Sequence, residues 1–293
     1  MCHHGSVTGV RSRRVRLDQL IVDRGLAESR SRAQALLIGG RVRVGAGDEA
    51  RLDRKPGDQV DPGTTIEVAT PDPYVSRGGH KLAAALDAFG IDPAGRVCLD
   101  AGASTGGFTD VLLQRGARRV YAVDVGRGQL AESLRRDPRV VSMERTNART
   151  LTAASLPEPV SLASIDVSFI SLRLVLGPIA STFDAAGGVM VPLVKPQFEA
   201  GRADVPGGVV RDPAVHVRVL REVVDAALAT GLEPLDGIVS PVLGPEGNRE
   251  FLFHLRVPPR AELEARQAGN APAAPLTDAL ADRLAAIARP DAA

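Results

Sequence analysis

Val97-Cys98-Leu99-Asp100-Ala101-Gly102-Ala103-Ser104-Thr105-Gly106-Gly107-Phe108 reads as an apolar strand, a turn of small residues and the start of a helix. Small residues let a backbone come close to a ligand at the end of a first strand. Asp124 follows Asp100 by 24 residues and closes the next apolar run, 120–123. An acid at that place can hydrogen-bond the ribose hydroxyls of a nucleoside. Outward from this centre the pattern alternates. A helix is expected at 81–89, strands at 97–99, 162–165 and 188–193, and helices at 108–115 and 215–229. The stretches 235–240 and 250–257 read as a late antiparallel pair. The alternation predicts an α/β fold, a Rossmann-like doubly wound sheet.

The 293 residues are 44% hydrophobic, enough for one sizeable core and a second small domain, and the net charge is +1. Any basic signal for nucleic acid must therefore be local. One lies near the start, where Arg11, Arg13, Arg14, Arg16, Arg24, Arg30, Arg32, Arg41 and Arg43 face only Asp18, Asp23 and Glu28. Such a cluster supplies phosphate contacts or simply a solvated face. The local pattern is a helix ended by Gly25, a second helix capped by Ser29 and stopped by Gly39-Gly40, and a strand in which Val42 and Val44 alternate with Arg41 and Arg43. The expected organisation is an arm at 1–15, an α+β unit at 16–69, a linker at 70–76, an α/β domain at 77–258 and an Ala/Pro-rich tail at 259–293. The tail holds one helix, 276–287, or none. Two cysteines, Cys2 and Cys98, give neither a disulfide framework nor a zinc cluster. With no signal peptide and no apolar stretch near the ~20 residues that span a bilayer, a cytoplasmic protein without membrane or metal is expected.

Order within the basic segment is informative. Arg16-Leu17-Asp18-Gln19-Leu20, Gly25-Leu26-Ala27, Ser29-Arg30-Ser31-Arg32-Ala33 and Gly40-Arg41-Val42-Arg43-Val44 together resemble the S-four (alpha-L, or S4) RNA-binding domain. The resemblance implies RNA, above all ribosomal RNA, with Arg16, Arg30, Arg32, Arg41 and Arg43 as contacts; Arg77 joins them. Arg51-Leu52-Asp53 looks like the catalytic triplet of pseudouridine synthases, but it falls inside the small domain and not in a large domain behind it.

NAD and S-adenosylmethionine both fit the outline of the 97–108 loop. A dinucleotide fold expects Gly-x-Gly-x-x-Gly with a helix start facing pyrophosphate. Here an acid, Asp100, is expected beside the cofactor, which repels phosphate and suits a sulfonium cation. The expected cofactor residues are Asp100, Gly102, Ala103, Ser104, Gly106, Gly107, Phe108 and Asp124, with Asn147 after a third strand as an adenine contact.

Positive charge in this chain is written as arginine almost throughout; lysine occurs only at Lys55, Lys81 and Lys195. Lys81, Asp166 and Lys195 lie where strands end or the first helix begins, and Glu250 opens a late strand, with Glu246 a rival. These four match the Lys-Asp-Lys-Glu tetrad of FtsJ-type ribose 2′-O-methyltransferases. Ser76-Arg77-Gly78-Gly79-His80-Lys81-Leu82, Val194-Lys195-Pro196-Gln197-Phe198-Glu199 and Gly244-Pro245-Glu246-Gly247-Asn248-Arg249-Glu250-Phe251, behind an S-four domain, resemble the TlyA family, whose members carry both hemolysin and rRNA methyltransferase names. The resemblance implies a class I methyltransferase sheet, S-adenosylmethionine as cofactor and ribosomal RNA or ribosomal subunits as partner. A ribose hydroxyl must lose its proton as it attacks, and arginine stays protonated where lysine can titrate. Lys195 is assigned as general base and Lys81 as its partner; Asp166 would hold the amine or stabilise the sulfonium, and Glu250 would orient a lysine. The alternatives are a non-catalytic RNA-binding factor and a membrane-active hemolysin, the latter disfavoured by the missing strongly amphipathic basic helix.

Overall fold

The computed structural model describes residues 14–47, 50–69 and 72–289. Most of the expected arm, with Arg11 and Arg13, lies outside the described residues, as do Cys2, Thr70 and Pro71. The chain divides into two compact units, with the boundary between Asp72 and Pro73.

In the first unit, β1 (Val15–Arg16) leads into α1 (Leu17–Asp23), followed by α2 (Arg30–Ile38), β2 (Val42–Val44), β3 (Gln59–Val60) and β4 (Ile66–Val68). Two short antiparallel pairs, β1 with β3 and β2 with β4, close it. Ser29 accepts a hydrogen bond from the Arg32 amide at 3.2 Å, the N-cap its sequence position suggested. Leu17, Leu20, Ile21, Leu37, Val42 and Val44 form the core. Alternation in β2 then leaves Arg43 exposed between two buried valines.

The second unit contains α3 (Gly78–Phe89), β5 (Val97–Ala101), α4 (Gly107–Gln114), β6 (Arg119–Val123), α5 (Glu132–Arg135), β7 (Val140–Met143), β8 (Leu162–Ile165), α6 (Leu176–Ala180), β9 (Gly188–Val194), α7 (Pro196–Glu199), α8 (Pro213–Ala229), β10 (Glu233–Val239), β11 (Phe251–Val257), α9 (Arg260–Gln267) and α10 (Asp278–Ile287). The sheet order is β10-β11-β9-β8-β5-β6-β7. The doubly wound expectation is borne out, with β7, β6, β5, β8 and β9 parallel. All five residues of β5 are buried because both faces of the sheet are covered, which is why the strand reads as an apolar run. Leu82, Leu86, Val111 and Leu112 cover one face, and Val219, Val223, Leu176 and Leu284 belong to the core on the other.

The chain leaves β5 towards β6 on one side and returns to β8 on the other. The order reverses there, opening a crevice at the carboxyl ends of β5 and β8. Within the late pair β11 runs antiparallel to both β10 and β9, with Phe251 opposite Val194. The start of β11 therefore lies at the end of β9, which carries Glu250 to the same rim as Lys195.

Residues 259–289 differ from the expected tail. They hold two helices, α9 and α10, and Leu263, Leu280, Leu284 and Ile287 are buried in the sheet's core. Leu280, Leu284 and Ile287 recur at helical spacing, and Thr277 caps α10 by accepting from the Leu280 amide at 3.2 Å. The helix offered at 276–287 is present as α10, and α9 is the element the reading lacked. Leu284→Ala is expected to cost about 2–5 kcal/mol, whereas Asp282→Ala on the exposed face should cost within ~0.5 kcal/mol. Urea denaturation of the two variants checks this; equal small losses would mean that α10 does not contribute to the core.

Candidate active site

The turn after β5 is built by backbone constraints. Gly102 has φ +87°, and a Cβ there would lie 2.4 Å from the Asp166 carbonyl oxygen, so only glycine lets the two loops touch. Gly106, at φ +99°, is excluded from a side chain by Leu134 and Leu130. It shapes the turn and lines neither of the cavities at the crevice, unlike its neighbours Gly107 and Phe108.

Asp100 is the main correction. It was expected beside the cofactor, but it is fully buried and borders neither cavity. Its carboxylate accepts from Thr109 Oγ1 at 2.6 Å and from Ser164 Oγ at 3.3 Å, tying β5 to the first turn of α4 and to β8. Burial pushes its pKa up to about 7, against the hydrogen bond from Thr109. Thr109 was missed, although it stands in the first turn of the helix that the glycines open.

Asp124 does sit at the crevice. Its Oδ2 accepts from the Ser104 amide at 2.8 Å and its Oδ1 from the Gly126 amide at 2.6 Å. With Gly102, Ser104 and Asn147 it lines a cavity of about 410 Å³. Asn147 Oδ1 also accepts from the Arg149 amide at 3.0 Å, so its side chain caps a local turn.

A second cavity, of about 450 Å³, shares Gly102, Ser104, Asp166 and Ser168 with the first and adds Arg77, Lys81, Gly107, Phe108, Lys195 and Glu250. All four tetrad residues meet here. Lys195 Nζ lies 2.6 Å from Asp166 Oδ1 and donates to Ser168 Oγ at 2.8 Å. Lys81 Nζ donates to Glu250 Oε2. The other Glu250 oxygen, Oε1, is buried without a hydrogen-bond partner among the described residues. Glu246, the rival, is exposed and does not reach Lys81. Lys81 and Lys195 are 8% and 9% exposed, while Lys55 is on the surface. Ions so enclosed survive only when paired.

The basic patch is partly committed to its own fold. Asp18 is fully buried and accepts from Arg16, Arg30 and Gln34, at 2.9, 3.1 and 2.9 Å. Its carboxyl is held well below the usual range, chiefly by the hydrogen bonds from Arg16. The two guanidiniums keep 46% and 50% of their side-chain exposure, so each still offers donors outward. Arg43 donates to the Gly47 carbonyl at 3.2 Å, and Arg32, Arg41 and Arg77 are exposed. The Arg51–Asp53 ion pair, 2.9 Å long, is exposed on the small unit.

A doubly wound sheet with a glycine turn at its switch point and paired lysines and carboxylates on its rim defines a Rossmann-like methyltransferase, here carrying a small N-terminal RNA-binding-type module. The FtsJ-like methyltransferase model matches residues 74–257, and the S4 domain model matches residues 15–45. The chain belongs to the FtsJ-like methyltransferases and, within them, to the TlyA family. It is 48% identical over 258 residues to the 16S/23S rRNA (cytidine-2′-O)-methyltransferase TlyA of Mycobacterium tuberculosis, covering 87% of this chain and 94% of the relative. A candidate rRNA methyltransferase of Bacillus subtilis, YqxC, is 48% identical over 250 residues, 84% of this chain and 87% of that one. A solved structure of a candidate hemolysin from Streptococcus thermophilus superposes with a TM-score of 0.64 at 42% identity, covering 88% of this chain and 97% of the other. Among the described residues, no helix is long and apolar enough to cross a membrane.

The raised Asp100 pKa has a sign that can be tested. The folded state holds this proton more tightly than the unfolded chain, whose ordinary value is near 3.8. Its contribution to stability is full below that value and is lost as pH rises through about 7. Asp100→Asn keeps an acceptor for Thr109 and removes the titration. The stability of the variant relative to the parent should therefore rise between pH 5 and pH 8, measured by denaturant unfolding in steps of about 0.5 pH. A difference independent of pH would reject the assignment.

Proposed function

We propose that the protein methylates a ribose 2′-hydroxyl in ribosomal RNA, in the cytoplasm, with S-adenosylmethionine as methyl donor. The observation that carries this reading is the pair of enclosed ion pairs, Lys195–Asp166 and Lys81–Glu250, on a cavity continuous with the glycine-turn cavity.

The residues present fit the cofactor. Gly102, Ala103, Ser104, Gly107 and Phe108 would hold it against the turn, Asp124 would take ribose hydroxyls and Asn147 would meet the adenine. When bound, S-adenosylmethionine supplies a methyl group on a positively charged sulfur. Asp166, bordering both cavities, contributes the negative charge that Asp100, buried away, does not.

With its amine in the neutral form, Lys195 would receive the proton of the 2′-hydroxyl as the ribose oxygen takes the methyl group and the bonding pair stays on the donor sulfur. Asp166 and Ser168 hold its amine. Glu250 fixes Lys81 through one carboxylate oxygen. The S4 module, with Arg16, Arg30, Arg32, Arg41 and Arg43, and Arg77 on the catalytic cavity, would bind RNA phosphates. Such contacts place the substrate and specify no base.

Ribosomal RNA incubated with labelled cofactor should yield 2′-O-methylnucleotides on digestion. Lys195→Arg keeps the charge but removes the base, and should lower kcat by at least ~10²-fold with cofactor affinity retained. Label recovered only on bases would overturn the reading, and an arginine variant at near-parental kcat would leave Lys195 as a positioning cation.

A further inference from the structure

Ser168 stands where three cavities meet. It borders the 450 Å³ catalytic cavity, the 410 Å³ glycine-turn cavity and a third of about 400 Å³ lined by Phe169, Gln197, Phe198 and Asn248. No other described residue borders all three. Exposed serines ordinarily hydrogen-bond to water, yet this one accepts from the amine of Lys195, a residue that is 9% exposed, at 2.8 Å.

The loop that carries Ser168 is fixed at both ends. Asp166 begins it on the Lys195 amine, and Phe169 turns it through a left-handed φ of +62°. Beyond the turn, Glu199 accepts from Ser171 Oγ at 2.6 Å and from the Leu172 amide at 2.7 Å, and Arg173 donates to the Glu199 carbonyl at 3.2 Å. Glu199 closes α7, the helix that begins immediately after Lys195. The loop after β8 and the segment after β9 are thus bound to each other on both sides of Ser168.

A neutral amine has two N–H bonds and one lone pair. Ser168 accepts one N–H at 2.8 Å, and Asp166 lies 2.6 Å away as the counter-ion, so the serine fixes one N–H direction and narrows those left to the lone pair. With Asp166 alone, the amine rotates about its Cε–Nζ bond. We infer that Ser168 is a positioning residue for proton removal, its hydroxyl oxygen fixing the direction in which the Lys195 lone pair is presented to the ribose. This role rests on the function proposed above.

The test compares the parent, Ser168→Ala and Ser168→Thr. It reads kcat and KM for rRNA at saturating cofactor, cofactor affinity by calorimetry, and the thermal midpoint. Misdirected groups lose up to ~10²-fold in rate. The alanine variant should lose about 10-fold or more in kcat, with KM, cofactor affinity within about twofold and an unchanged midpoint, while threonine, which restores the hydroxyl, recovers most of the rate. Alanine at parental kcat, a parallel loss of cofactor affinity, or threonine as slow as alanine would each overturn the role. A parent protein that makes no 2′-O-methyl product would overturn the function itself, and this role with it.

Discussion

The antiparallel pairing of β11 against β9 is the constraint on which the site depends. Five parallel strands deliver their loops to one rim, but a parallel sixth would carry Glu250, at its beginning, to the opposite rim. Because Phe251 pairs with Val194, the residue before β11 and the residue after β9 are neighbours, and Glu250 and Lys195 border one cavity. Lys81 reaches the same place from the first turn of α3. Residues far apart in sequence thereby meet in one charged cluster.

That cluster is neutral in sum, two lysines against two carboxylates, and its neutrality is what lets it be enclosed. An ammonium at 8 or 9% exposure is stable only beside its counter-ion, and deleting one partner of a buried pair costs about 3–5 kcal/mol. Arginine would satisfy the pairing as well as lysine. Both cations enclosed in this cluster are nevertheless lysines in a chain that otherwise uses arginine, which points to a need for a group that can give up its proton. Below the rim, Asp100 does the opposite work: an acid sealed in the core, held by Thr109 and Ser164, locks the turn's supporting elements together and takes no position in either cavity.

The glycine turn and the strand alternation were legible from local pattern, and Lys81 and Lys195 from the rarity of lysine, while Asp166 and Glu250 were picked out only by the resemblance to the Lys-Asp-Lys-Glu tetrad. Lysine stood out only because arginine is the default here. What was not legible depended on which way a side chain faces. Asp100 looked like a cofactor contact because the sequence places it one residue from the turn, and the burial of β5 on both faces decides otherwise. Ser168 gave no signal, since a serine between valine and phenylalanine is unremarkable until the loop brings it onto Lys195. Arg16 and Arg30 read as free charge, and only the fold shows that both grip Asp18. α10 was one of two readings of the tail, whereas α9, with Leu263 its one buried residue, gave no apolar stripe to read.

The central claim is geometric: the Lys195 amine, held by Asp166 and Ser168, is the group that faces the reacting hydroxyl. A crystal structure with S-adenosylhomocysteine and an RNA fragment containing the target nucleotide tests it most directly. The target 2′-oxygen should lie within hydrogen-bond reach of Lys195 Nζ, about 2.6–3.2 Å, with the amine still bound to Asp166 and Ser168. A Lys195 amine turned onto a phosphate, with the 2′-oxygen facing another group, would contradict the account.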